Sequence, residues 1–273
     1  MTDGTKMADE REKKVILIVA SLASFLVPYT GSSITVALPA IGTQFGLDAV
    51  MLGWITAAYI ISAAVFIVPF GRLSDIIGRK RVFLWGVAIF TVAAFLSSLA
   101  PSPEILVIAR FIQGIGGAML FATSTAIVAQ VFPPGERGRA LGITVAAVYA
   151  GLSIGPFLGG VLTDAFGWRS IFWINVPIGL VAIILALRGI PGEWADAGET
   201  RFDLLGSFIY GSCSFRGSSG WSACPIPSRF YGLEQGSSHF LFFSGMSSGA
   251  QTRFLMQASF CRTGLSPFPI LRR

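Results

Sequence analysis

The chain predicts an all-α membrane protein, a six-helix transmembrane bundle built from two inverted three-helix repeats, and three observations carry that prediction. Of its 273 residues 53% are apolar and only 12% are charged, and mean hydropathy is +0.71, a composition suited to lipid. Apolar runs long enough to cross a bilayer core, which takes about 20 helical residues, stand at roughly 15–40, 51–70, 82–100, 105–131, 140–163 and 170–187. A charged stretch between the second and third runs, Gly71-Arg72-Leu73-Ser74-Asp75-Ile76-Ile77-Gly78-Arg79-Lys80-Arg81, returns 89 positions later as Gly160 to Arg169. Both copies keep the order Gly, Leu, Ser/Thr, Asp, Gly and base, and both lead into an aromatic helix start, Phe83 and Phe172. Three crossings separate them, and an odd number places them on opposite faces.

Residues 1–14 form a polar N-terminal segment carrying Lys6, Arg11, Lys13 and Lys14. The apolar run behind it is too long for a secretory signal, and further spans follow. Lys and Arg are retained on the cytoplasmic side of membranes. The N-terminus, the 71–81 turn and the 133–139 turn hold such bases, whereas the alternate loops offer only Arg169. The bundle, residues 15–188, is therefore expected in the cell membrane with its N-terminus in the cytoplasm.

The first helix is expected to be interrupted around Pro28, Thr30, Gly31 and Ser32-Ser33 before closing on Ala37-Leu38-Pro39. Pro and Gly free backbone carbonyls that need partners in neighbouring helices or a watery cavity. A packing kink and a substrate-lining kink both remain open. In the second helix, Trp54 and Tyr59 are expected as interfacial anchors. The fourth holds one buried charge in Arg110-Phe111-Ile112-Gln113-Gly114. Seven residues past Pro103, Arg110 lies about 10 Å below the surface, so it should face the interior and find a partner. Two roles stay open for it, stapling to carbonyls of the first-helix break near Gly31 to Ser33, or coupling and substrate binding. The glycines at 114, 116 and 117 would let another helix come close. In the fifth helix, Gly151, Gly155, Gly159 and Gly160 make a smooth face around Pro156, which bends the helix.

These residues resemble the N-terminal half of a major facilitator superfamily transporter, of the fourteen-helix multidrug efflux branch. The 71–81 stretch, with Gly71, Arg72, Asp75, Gly78, Arg79 and Lys80, resembles that superfamily's cytoplasmic loop motif. Arg110, Gln113 and Gly114 resemble its fourth-helix motif, and Gly151 to Gly160 its fifth-helix antiporter motif. Phe202-Asp203-Leu204-Leu205-Gly206 resembles the start of a seventh helix. The resemblance implies export of amphiphilic small molecules by alternating access, driven by proton antiport. It implies as partners the lipid bilayer, a small-molecule substrate, protons, and a second bundle or homodimer, with pairing expected on the glycine faces at 114–117 and 151–160. One departure stands out: where that branch commonly places an Asp in the first helix, this chain has Thr30, and no Asp or Glu lies inside any of the six runs.

Residues 189–211 read as a cytoplasmic linker and the start of a seventh helix, and the character of the chain then changes. Residues 212–273 are rich in Ser, Gly, Phe and Arg and contain no run that spans a membrane. Three readings compete for this non-membrane tail: a disordered segment, a small domain, or out-of-frame translation. Its aromatic content and small size favour the last, and with it the alternative that the chain is a truncated, transport-inactive fragment.

Other classes find little support. The net charge of +6 sits in short clusters beside apolar runs, which argues against nucleic acid. Cys213, Cys224 and Cys261 lack metal-ligand spacing, so no metal is expected. No nucleophile with a base and no phosphate loop appears, so no cofactor, no catalytic residue and no enzyme are expected.

Overall fold

A computed structural model describes residues 10–189. The chain divides into two units, Met1–Ser222 and Ala223–Arg273, and every described residue belongs to the first. Most of the 1–14 segment, nearly all of the expected 189–211 linker, the 212–273 tail and the three cysteines lie outside the described residues.

The described residues form α1 (Glu10–Phe45), α2 (Ala49–Ile77), α3 (Arg79–Leu99), α4 (Pro103–Val131), α5 (Pro134–Phe166), α6 (Ser170–Trp173) and α7 (Asn175–Gly189). The first five, and α6 and α7 taken together, are the six segments long and apolar enough to cross a membrane. At 1.5 Å per residue, α1 is about 54 Å long, well beyond a hydrocarbon core of about 30 Å.

Local chemistry sets the helix ends. The Asp48 side chain accepts from the Met51 N–H (2.9 Å) to start α2. Pro103 and Pro134 open α4 and α5, where a missing N–H costs nothing. Gly78 and Gly167 end α2 and α5 with φ of 110° and 82°, a region that a Cβ disfavours. Their N–H groups bond the carbonyls of Ser74 (3.1 Å) and Thr163 (3.0 Å), so the two copies of the repeat close their helices alike.

Several expectations are corrected here. Most of the 71–81 stretch is helix, since α2 runs to Ile77 and Gly78 alone separates it from α3; α5 likewise begins at Pro134, within the expected 133–139 turn. α1 is not interrupted, and Pro28 and Pro39 both lie inside it. A proline deletes one ladder bond, and packing along the rest of so long a helix outweighs that loss. The sixth span is instead the broken one, at Ile174. Pro177, in the first turn of α7, cannot donate to the carbonyl four residues back, which separates α6 from α7.

Packing follows the inverted repeat. α1 lies mainly along α5, whereas its counterpart α4 packs alike along α2 and α3; α7 leans on both α3 and α1, and α1 also meets α4. Glycines permit the closest approaches. A Cβ on Gly151 would stand 2.5 Å from the Phe25 carbonyl, and one on Gly159 would stand 2.8 Å from the Ser33 carbonyl. One on Gly116 would stand 2.6 Å from the Phe90 nitrogen of α3, and one on Gly114 would collide with Ser62 of α2. The glycine faces expected to receive a second bundle are thus occupied within this one, because only there do backbones come so near. Gly160 has ordinary room, its nearest neighbour being Val36 Cγ1 at 3.6 Å.

Gly155→Leu, whose Cβ would fall on Ser32, is expected to destabilise the bundle by about 1–3 kcal/mol, as overpacking does. Gly142→Ala, with nothing within 4 Å, is expected to stay within about 0.5 kcal/mol of the parent. Thermal unfolding in detergent checks both.

Candidate functional site

Arg110 projects from α4 and is 0% exposed, the largest fully buried side chain among the described residues. Its Nη1 donates to Gln113 Oε1 (2.7 Å) and its Nε to the Ile55 carbonyl of α2 (3.5 Å). The guanidinium carbon lies 4.1 Å from the centroid of the Tyr59 ring and 5.9 Å from that of Phe172. Ile55 and Tyr59 are one helical turn apart, so α2 offers a carbonyl and an aromatic face to the same cation. Arg110 Nη2 and Gln113 Nε2 are buried without a hydrogen-bond partner.

The expected staple from Arg110 to the first helix is not made. Its hydrogen bonds run to α2 and within α4, because Gly114, one turn on, lets α2 press directly against α4. The connection to α1 passes through Tyr59, whose hydroxyl donates to the Val27 carbonyl (2.9 Å). Tyr59 is therefore a buried link among three helices rather than an interfacial anchor, with 5% exposure. Trp54, 47% exposed, stays on the surface. It lines, with Ala58, Ile61, Val107, Ile108 and Phe111, an apolar cleft of about 290 Å³ between α2 and α4.

A second buried polar contact was not foreseen. Thr30 donates to Asn175 Oδ1 (3.1 Å), and Asn175 Nδ2 donates back to the Ile171 carbonyl (2.9 Å). Both residues are buried, and Asn175 opens α7 just past the break at Ile174. The sequence signal that could have found it is Asn175-Val176-Pro177, a break with a polar side chain beside it. Of the other first-helix residues, Pro28 is buried, Ser32 donates to the Gly151 carbonyl of α5 (3.3 Å), and Gly31 has ordinary room beside Tyr59.

At the end bearing the α2–α3 turn, Arg79 Nη2 pairs with Asp75 Oδ1 (3.0 Å), and its Nη1 donates to Gln130 Oε1 (2.8 Å) and the Ala126 carbonyl (3.4 Å) of α4. Arg79 thus binds the ends of α2 and α4 across the Gly78 break. Arg72 is exposed, Lys80 half-buried, and Gly71 has room, its nearest neighbour being Ala122 Cβ at 3.9 Å. At the same end Lys13 is held between Glu10 and Glu136 (3.1 Å each), tying α1 to the start of α5. In the fifth helix Gly151, Gly155 and Gly159 are buried against α1, whereas Pro156 is exposed on the other face. Among the described residues no group of His, Cys, Asp or Glu could hold a metal ion.

The family profile described as Major Facilitator Superfamily matches residues 20–256. The riboflavin transporter RibZ of Clostridioides difficile (strain 630) is 34% identical over 204 residues, which cover 75% of this chain and 45% of that protein. The multidrug resistance protein Stp of Mycobacterium tuberculosis (strain ATCC 25618 / H37Rv) is 38% identical over 201 residues, 73% of this chain and 37% of Stp. The cephamycin export protein CmcT of Amycolatopsis lactamdurans is 39% identical over 198 residues, 71% of this chain and 40% of CmcT. The chain spans less than half the length of each of these relatives.

Asn175→Leu leaves the Thr30 hydroxyl buried without its acceptor and is expected to destabilise the bundle by about 1–3 kcal/mol. Thr30→Val together with Asn175→Leu should cost less than the two single changes added. A double-mutant cycle of thermal stability in detergent measures that coupling, expected at about 1 kcal/mol.

Proposed function

This chain belongs to the major facilitator superfamily, and from that membership we propose that it supplies the first six-helix bundle of an exporter of amphiphilic small molecules working by alternating access. The observation that carries this reading is similarity along about 200 residues to proteins named for multidrug resistance and cephamycin export. Six membrane-spanning segments arranged as inverted repeats support it. The basic end, with Lys13, Lys14, Arg72, Arg79, Lys80, Arg81, Arg137 and Arg139, then faces the cytoplasm.

In this reading Arg110 keeps a fixed positive charge inside the bundle, and the Thr30–Asn175 contact supplies polarity beside the broken sixth span. The Asp75–Arg79 pair acts as a cytoplasmic latch, holding α2 and α4 together in one state of the cycle. The likeness of Gly151 to Gly160 to an antiporter motif favours proton exchange as the driving step. Among the described residues every Asp and Glu, from Glu10 to Asp164, sits within a turn or two of a helix end. The proton-carrying carboxylate is therefore assigned to the second bundle, since an exchanging group belongs inside the membrane. Alternating access needs two bundles around one site, so these residues alone are read as inactive.

Residues 1–273 expressed alone in cells lacking their own exporters are expected to leave accumulation of a lipophilic cationic dye unchanged. Co-expressed with a second half taken from an exporter relative, they should lower it in an energy-dependent way, and Asp75→Asn should remove that export while both pieces stay in the membrane. No export from the assembled pair sinks the transport reading; export by the chain alone sinks the one-bundle reading.

A further inference from the structure

The end of the bundle opposite the basic loops carries a cluster that the transport reading does not use. Gln44, in the last turn of α1, accepts through one oxygen from Trp168 Nε1 (2.6 Å) and Arg169 Nη1 (3.1 Å). Arg169 Nη2 donates to the Ala100 carbonyl at the end of α3 (2.9 Å), and its guanidinium carbon lies 4.3 Å from the centroid of the Trp168 ring. Trp168 is 3% exposed and packs edge-on against Phe172, 6.2 Å between centroids. Ser170 completes the turn by donating to the Leu162 carbonyl (2.9 Å).

The inverted repeat matches this cluster to the one at the basic end. Gly167 corresponds to Gly78, and Gln44, 86 positions before Gln130, corresponds to it within one helical turn. In each, a glutamine near the end of a helix accepts from a side chain that follows the positive-φ glycine. The two differ at the residue that follows the glycine. Trp168 stands where Arg79 stands, so Asp164, the counterpart of Asp75, is exposed and the tie contains no carboxylate.

We propose that Gln44 is a positioning residue that ties the ends of α1, α3 and the α5–α6 turn into one body, so that the bundle rocks with this end rigid while the ion-paired basic end is the one that loosens. The physical ground is the difference in bonding. The Asp75–Arg79 pair is part-exposed and screened by salt. The Gln44 tie, made at an exposed glutamine, joins a neutral amide to a buried indole and to a guanidinium that also bonds a carbonyl, so it holds no pair of opposite charges for salt to screen. This rests on the alternating-access reading for its meaning in transport, but its test needs no transport.

Hydrogen exchange, followed by mass spectrometry on the full chain in detergent, provides that test. Gln44→Met keeps the size and removes the acceptor; it should raise exchange at residues 98–106 and 166–172 about tenfold and leave 75–82 and 126–131 as they were. Gln44→Glu, which keeps the acceptor, should behave as the parent. Roughly 1 M salt should speed exchange at the basic end and not at the other. No rise with Gln44→Met, an equal rise along the whole bundle, or an equal response of both ends to salt overturns the proposal. If Gln44→Met does not fold, Arg169→Met, which keeps the Trp168 bond, must raise exchange at 98–106, and no rise there overturns it equally. A negative result leaves the export reading standing, and failure to export leaves this one.

Discussion

A guanidinium shut away from water and lipid headgroups persists only where acceptors, dipoles and an aromatic face are brought to it, since the cost of burying it alone is several kcal/mol. Arg110 imposes that requirement on the first, second and fourth helices together. Gly114 removes the side chain that would hold α2 away, which brings the Ile55 carbonyl and the Tyr59 ring to the charge. Tyr59 then passes the connection on, its hydroxyl reaching the Val27 carbonyl of α1. The glycine, the tyrosine and the arginine form one arrangement, and the centre of the bundle is organised by it.

The inverted repeat explains why the rest of the bundle looks as it does, and also where it departs from symmetry. The close crossing of α3 and α4 puts Gly86 against Met119, a Cβ there standing 2.7 Å from that of Met119. Eighty-nine positions away from each, in opposite directions, stand Asn175 and Thr30, and the corresponding crossing of α7 and α1 is made by a hydrogen bond instead. One copy spends the position on close packing and the other on polarity. A buried hydroxyl–amide pair away from water is stable only when its donors and acceptors are satisfied. Asn175 meets that condition by bonding back to Ile171 across the break in the sixth span.

The two ends of the bundle differ in the same way. At the basic end a part-exposed ion pair closes the α2–α3 turn, and at the other end a buried tryptophan and a cation share one amide oxygen. A rocking bundle needs ends of unequal stiffness only if one of them must release. An ion pair that water and salt can reach is screened as salt rises, whereas an amide oxygen shared by an indole and a cation has no counter-charge to lose.

Much of this was legible in the chain itself. Hydropathy marked the six spans, because a bilayer demands about 20 apolar residues for each crossing. The repeated Gly, Asp and base pattern disclosed the inverted trios, and the lone arginine in an apolar run had to face inward. Tertiary structure decided the partners. Arg110 bonds to α2 rather than α1, and the glycine faces serve the bundle's own helices, because which carbonyl lies nearest depends on helix crossings that periodicity does not encode. Gln44 and Gln130 gave no signal of their own, being single polar residues whose partners lie far along the chain, and Asn175 offered only its place beside Pro177, with nothing to name Thr30 as its partner. Proline prediction also misplaced the break: Pro28 sits in a long helix packed along its length, while Pro177 stands one turn into a short one, and only packing distinguishes those two outcomes.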